Sequence, residues 1–209
     1  MTVRKVSWMG YTWTPKVYTT KVNPGPNYYS DSTDNVWVDA SGYLHLAVVK
    51  DAGGLWQNTE LHAKKLAGKY GLYEWKVLSD VRKLGKNVVL GLFTYDWGEY
   101  TPGNGEIDIE FSHWGDADDA FALNLTVQGQ GSKTFQPGPP PYDVSFLWEA
   151  DYVTFKSVNG KGQAINYKLP SIAITPTTWP FMDLWMMKGY PPAGHPQVVL
   201  ESFTFTASA

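Results

Sequence analysis

Residues 106–111 read Glu-Ile-Asp-Ile-Glu-Phe, alternating an acid with a large apolar side chain at every step. In an extended strand successive side chains leave on opposite faces, so Glu106, Asp108 and Glu110 share one face and Ile107, Ile109 and Phe111 the other. A helix would scatter the three charges around its circumference, so the spacing predicts a strand. The apolar face must sit on a core while the acidic face does not, which points to a sheet buried on one side.

An acidic strand face is often no more than a solvated one. Asp and Glu are depleted from strands, however, and three like charges on one face repel each other when no Lys or Arg lies between them. The surroundings are aromatic, with Tyr95, Trp97 and Tyr100 before the stretch and Trp114 after it. A built cluster is the better reading. Four strand steps of ~3.3 Å separate the backbones of Glu106 and Glu110 by roughly 13 Å. Glycosidases that retain configuration need their two carboxyl groups about 5–5.5 Å apart, and two extended Glu side chains leaning together by ~4 Å each close that gap. Two aspartates would fall short. Asp108 between them can bond one carboxyl and repel the other, which separates their pKa values and divides them into a nucleophile and a general acid.

The stretch Gly105-Glu106-Ile107-Asp108-Ile109-Glu110-Phe111 resembles the active-site strand of glycoside hydrolase family 16, the bacterial lichenases, laminarinases and their relatives. The resemblance implies Glu106 as nucleophile, Asp108 as its helper and Glu110 as acid/base. The uninterrupted E-x-D-x-E form is that of lichenases and xyloglucan-active members, whereas typical laminarinases carry one more residue before the last Glu, as a bulge. Further matches extend over residues 35–206. Glu60-Leu61-His62-Ala63-Lys64-Lys65 with Tyr70-Gly71-Leu72-Tyr73-Glu74 resembles the lichenase segment GEYRTK…YGYYE, which implies Glu60 as a sugar ligand. Ala122-Leu123-Asn124 resembles the strand after the catalytic one and places Asn124 at a substrate contact. Phe146-Leu147-Trp148-Glu149-Ala150-Asp151-Tyr152 is similar to FEWxPDY. Phe181-Met182-Asp183-Leu184-Trp185 is similar to MNLW, with Asp183 where lichenases carry Asn. The family's His shortly before the FEW strand has no counterpart in Pro137-Gly138-Pro139-Pro140-Pro141. Trp97, Trp114 and Trp185 are candidates to stack on sugar rings, with Glu60, Asn124 and Asp183 bonding hydroxyls.

The remainder of the chain is consistent with that fold. Short strand patterns recur over 8–13, 35–38, 43–50, 56–62, 71–79, 87–95, 120–128, 143–149, 151–158, 164–169, 181–187 and 198–206, with turn signals between them and no convincing helix. Stretches 23–34, 80–87, 137–141 and 191–196 read as loops. The expected architecture is all-β, a concanavalin A-like jelly-roll β-sandwich of two antiparallel sheets with a concave substrate cleft. We expect one catalytic domain over residues 1–209, with no internal repeat, acting as a monomer.

Composition excludes several alternatives. The formal charge of −3 disfavours a nucleic-acid backbone as partner. No apolar run approaches the length of a membrane span. The absence of Cys excludes disulfides and Cys-based metal or nucleophile sites. Ten Trp, 13 Tyr and 9 Phe exceed what a core needs and suit a cleft that stacks on sugars. Residues 1–5 lack an apolar signal segment, so either the sequence begins at the mature form of a secreted protein, the favoured expectation, or the protein stays inside. Residues 129–134 lack the Gly-Lys pair of a phosphate loop. Asp116, Asp118 and Asp119 lack the glycine and closing Glu of a calcium loop. His45 reads as a strand residue, and Asn124-Leu125-Thr126 is formally a glycosylation sequon. No cofactor is required; family members often hold a structural calcium, whose ligands the sequence does not place.

The resulting expectation is a retaining endo-β-glucanase acting on β-1,3-1,4-glucan first and β-1,3-glucan second. The alternatives are a lectin-like carbohydrate-binding sandwich without catalysis, and a transglycosylase using the same site.

Overall fold

The computed structural model describes residues 3–66, 70–96, 106–115, 121–173 and 178–208. The acidic stretch is a strand, Ile107–Ser112, flanked on both sides within a large sheet. In chain order the strands are β1 (Val6–Trp8), β2 (Tyr11–Pro15), β3 (Tyr18–Val22), β4 (Asn27–Tyr29), β5 (Val36–Val38) and β6 (Leu44–Ala47). There follow β7 (Val49–Lys50), β8 (Trp56–His62), β9 (Gly71–Val77), β10 (Val88–Tyr95), β11 (Ile107–Ser112) and β12 (Ala122–Val127). The last are β13 (Gly131–Phe135), β14 (Tyr142–Trp148), β15 (Tyr152–Val158), β16 (Ala164–Pro170), β17 (Trp179–Met186) and β18 (Gln197–Ala207). Helical structure among the described residues is confined to three short 3₁₀ turns.

The strands form two sheets. The first runs β1-β2-β8-β17-β10-β11-β12-β13, with β4 and β7 attached at β8 and β3 attached at β4, and the second runs β16-β15-β14-β9-β18-β6-β5. Pairing is antiparallel throughout except at β4 against β8, where Tyr28 and Gln57 are parallel partners. The two antiparallel sheets of the expected sandwich are present, and this parallel patch is a local addition at one edge. It arises where the segment after β3 returns along the edge of β8.

Alternation fixes which face of the first sheet is buried. Leu61, Leu90, Leu92, Ile107, Ile109, Phe111, Leu123, Leu125 and Leu184 are fully buried, and they join Tyr73, Trp75, Phe146, Phe155 and Phe203 of the second sheet in one core. Rings meet across the gap, with Phe111 against Tyr142 at 5.4 Å and Trp13 edge-on to Phe203 at 5.2 Å. Each such side chain contributes about 1.5–3 kcal/mol by leaving water. A one-residue slip of β11 would expose its three apolar side chains and bury its acids in that core, so the register is strongly specified.

Several segments depart from the reading of the sequence: β3 lies in none of the strand patterns, and β4 lies within the stretch 23–34 read as a loop. The stretch 80–87 read as a solvated loop, yet it contains a 3₁₀ turn (Val81–Lys83) whose Val81 is fully buried. Strand β13 was not anticipated, because its residues are exposed and carry no alternation of burial. His45 is a strand residue as expected. It stacks on Trp37 at 4.5 Å, bonds Asp39 through Nε2 at 2.9 Å and meets Gln197 through Nδ1 at 2.6 Å.

Candidate active site

The antiparallel registers carry the acidic face of β11 into rows that cross the sheet. Glu60 of β8 is the partner of Asp183 on β17, Asp183 of Gly91 on β10, Gly91 of Glu110 on β11, and Glu110 of Asn124 on β12. The next row, two residues along, holds His62, Phe181, Phe93, Asp108 and Thr126. Beyond it, Tyr95 partners Trp179, and the Gln128 backbone N–H donates to the Glu106 carbonyl at 3.0 Å. All of these lie on the face turned away from the core. Side chains separated by up to 123 residues therefore share one surface because strand pairing places them there.

A pocket of 330 Å³ opens on this face, lined among others by Lys16, Glu60, Phe93, Glu106, Asp108, Glu110, Asp183 and Trp185. Six of the nine residues singled out in the sequence therefore meet in one cavity. Asn124 lies beside Glu110 in the register but does not line the pocket; its Oδ1 accepts from Thr134 at 2.7 Å. Its Nδ2 is buried without a hydrogen-bond partner among the described residues. Trp114 lies apart from this pocket. It is 40% exposed and sits at φ 51° in a turn after β11 with its N–H bonded to the Ser112 hydroxyl. That turn takes it off the sheet's alternation. Trp97 lies outside the described residues, as do Asp116, Asp118 and Asp119.

The electrostatics follow from burial. Glu106 is pushed up to about 7 by desolvation, with Glu60 adding to the rise and a hydrogen bond with the Asp108 side chain opposing it. Glu110 is also pushed up to about 7, by burial and then by the charge of Glu106. Asp108 is held well above the usual carboxylate range by burial, then by Glu106 and Glu110. Asp183 is likewise held well above it by burial, then by Glu60 and Glu110. Burial raises Glu60 too, against the opposing charge of Lys16. His62 moves the other way, down to about 4, because burial and then Lys5, Lys64 and Lys16 disfavour its cation. At neutral pH the site thus holds a neutral His62 beside two glutamates poised near their midpoints, with Asp108 and Asp183 both shifted toward their protonated forms.

Sequence reasoning missed several members of the site. Lys16 Nζ donates to Glu60 Oε2 at 2.8 Å and to the Asn23 carbonyl at 2.6 Å, and both members of the ion pair are buried. Gln128 Nε2 donates to Asp108 Oδ2 at 3.0 Å. Phe93, Tyr95 and Phe181 form an aromatic wall, with Phe93 stacked on Phe181 at 5.2 Å. Only the register reveals them, since no local motif marks a lone Lys or Gln. Gly91 is needed for a different reason. Its N–H donates to Asp183 Oδ1 at 3.0 Å, and a Cβ there would lie 2.4 Å from that same oxygen. Gly91→Ala is expected to drive Asp183 from its place and destabilise the fold by about 1–3 kcal/mol, read by urea denaturation. A neutral or stabilising substitution would show that the carboxyl does not lie over Gly91.

Among the described residues no group of three or more His, Cys, Asp or Glu side chains is arranged to hold a metal ion, and the chemistry below is derived from the side chains alone. No described helix is long and apolar enough to cross a membrane. Compared by sequence, the chain matches no family model and no curated protein. Compared by structure, it is similar to Bacillus licheniformis β-glucanase, with a TM-score of 0.71 at 19% identity over 94% of this chain and 92% of that one. The fold is that of the β-glucanases. The β-glucanase fold is matched again in a prokaryotic β-1,3-1,4-glucanase (lichenase) from a mouse hindgut metagenome, with a TM-score of 0.68 at 17% identity over 94% and 93% of the two chains. It also occurs in a Mycobacterium tuberculosis immunostimulatory antigen described as a pseudo β-1,3-glucanase, with a TM-score of 0.69 at 18% identity over 94% and 91%.

Proposed function

We propose that this chain is a retaining endo-β-glucanase of glycoside hydrolase family 16, with β-1,3-1,4-glucan as first substrate and β-1,3-glucan as second. The observation that carries the reading is the convergence of Glu106, Asp108 and Glu110 with Glu60, Asp183 and Trp185 in one pocket on the outer face of the first sheet. A non-catalytic binding sandwich has no use for three stacked carboxylates, which raise one another's proton affinity and weaken the fold.

In this reading Glu106 attacks the anomeric carbon while Glu110 gives its proton to the departing glycosidic oxygen. Water, deprotonated by Glu110, then breaks the glycosyl–Glu106 ester and returns the carboxylate. Both glutamates are pushed up to about 7, but only Glu106 has a hydrogen bond from Asp108 to stabilise its anion. The pair's first proton therefore leaves Glu106, and the negative charge then holds the second proton on Glu110. Trp185 offers an apolar face to a sugar ring, Glu60 and Asp183 offer partners to hydroxyls, and Asn124 beside Glu110 is the further candidate contact. Partner and setting follow as part of the same proposal: a polysaccharide substrate, one catalytic domain acting as a monomer, and a secreted protein.

Release of reducing ends by the purified protein from barley β-glucan, laminarin, xyloglucan and agarose tests the substrate. Barley β-glucan is expected to be cut fastest. Silence on all four with binding retained would support a lectin, and products longer than the substrate would support a transglycosylase. The pH dependence follows from the same two groups. Activity requires Glu106 ionised and Glu110 protonated, so kcat/KM is expected to rise with pH on the acid side, peak near neutrality and fall above it. A profile still rising at pH 9 would contradict these roles.

A further inference from the structure

Gln128 is the first residue after β12, and both of its amide groups engage the acidic strand. Its backbone N–H donates to the Glu106 carbonyl at 3.0 Å, and its side-chain Nε2 donates to Asp108 Oδ2 at 3.0 Å. Asp108 is only 3% exposed. Of its cross-strand partners, Phe93 of β10 is apolar and Thr126 of β12 is uncharged. The charges facing it are Glu106 and Glu110 on its own strand and Asp183 from β17. Glu106 in turn faces Asp108 and Glu60 of β8, while Lys16 is taken up by Glu60 and Asn23. An amide NH₂ has only hydrogens to give, so the Asp108 oxygen it meets must accept. A proton carried by Asp108 then belongs on Oδ1.

We propose that Gln128 is a positioning residue for the glycosidase site: by holding Asp108 Oδ2 it fixes the rotamer of Asp108 and leaves Oδ1 to hydrogen-bond the nucleophile Glu106. The inference rests on the retaining-glycosidase reading for its kinetic consequences. Its structural content stands without turnover. Asp108 already hydrogen-bonds the Glu106 side chain, and that bond favours the Glu106 anion. The same bond stabilises Glu106 as a leaving group when water breaks the glycosyl ester. Gln128 supplies the direction of that bond. Without it Asp108 can turn toward Glu110 or lose its fixed rotamer, and the Glu106 anion is less well stabilised.

The test is Gln128→Met, which keeps length and removes the donor, alone and combined with Asp108→Ala. The Glu106 side-chain carboxyl carbon is followed by NMR as pH is raised, with kcat and KM measured in parallel on the best polymer. Gln128→Met is expected to move the Glu106 midpoint upward by about one pH unit and to lower kcat about 10-fold with KM changed less than about twofold. The acid limb of the pH profile should move with the midpoint. In the Asp108→Ala background the same substitution is expected to add almost nothing, because the side chain through which it reaches Glu106 is gone. An unmoved midpoint in a folded Gln128→Met protein overturns the proposal, and so does a full effect persisting beside Asp108→Ala. If the unmodified protein releases no sugar from any polymer, the glycosidase reading fails. The titration then still decides whether Gln128 acts on Glu106. A protein that melts early with Met at 128 is replaced by Gln128→Leu, which likewise cannot donate, adds no charge and is judged by the same midpoint.

Discussion

Glu106→Gln is expected to remove hydrolysis by on the order of 10⁴-fold or more in kcat while leaving polysaccharide binding intact. The amide keeps the shape and the hydrogen-bonding reach of the side chain but cannot form the glycosyl ester. The same position allows a sharper test of role. With Glu106→Ala, azide can enter the space of the missing nucleophile and attack an activated β-glucoside, giving the α-glycosyl azide. With Glu110→Ala, Glu106 still forms the ester, and azide attacking it gives the β product. Opposite configurations from the two variants are the expected result. An identical configuration from both would mean that the nucleophile and the acid/base have been exchanged or misassigned. A Glu106→Gln protein that retains even a tenth of the activity would remove Glu106 from the chemistry.

The largest stability effect is expected at Lys16. Its ammonium and the Glu60 carboxylate are both buried and 2.8 Å apart, and the same ammonium lies 4.5 Å over the Tyr29 ring. A buried pair adds little over an apolar replacement, but removing one partner leaves the other charge unsolvated, which costs about 3–5 kcal/mol. Lys16→Met is expected to do this at pH 8. The cost should depend on pH. Burial already raises Glu60, and Lys16 is what lowers it, so the variant's Glu60 titrates still higher in the folded state. Below the unfolded carboxylate value of about 4.5, Glu60 is protonated whether folded or not, and only the hydrogen bonds of Lys16 are missed. As pH rises the unfolded chain releases the proton while the folded one retains it, and the folded state loses ground. Urea unfolding at pH 4.5 and pH 8 should therefore show a small and a large deficit, and adding Glu60→Gln should restore most of the loss at pH 8. Equal deficits at both pH values would contradict the account.

These carboxylates also say why the site could be read only in part from the sequence. The triad was legible because a strand repeats every two residues and Glu106, Asp108 and Glu110 lie within one strand. Ile107, Ile109 and Phe111 declared the opposite face in the same six residues, and with it the sandwich. Glu60, Asp183 and Trp185 lie on strands far away in sequence and were found through family resemblance, not through any local pattern. Lys16 and Gln128 escaped because a single polar residue carries no signal until pairing shows what it faces. Strand β13 escaped because an exposed edge strand has no apolar face to alternate with. Trp114 follows the triad in sequence but not in the sheet, because the left-handed turn at φ 51° ends the strand's alternation before it. The Asp at 183 has a physical accommodation: burial shifts the acid toward its protonated form, in which it can offer a hydrogen as an Asn there would, while its other oxygen takes the Gly91 N–H.

The central claim is that two carboxylates on one strand carry out a double displacement. It is tested most directly by proton NMR of barley β-glucan during the first minutes of digestion, before the new reducing ends mutarotate. The account predicts that the β-anomer appears first and the α-anomer only later, and that Glu106→Gln produces neither. First appearance of the α-anomer would contradict it, since that outcome requires water to attack directly and leaves Glu106 no role as a nucleophile.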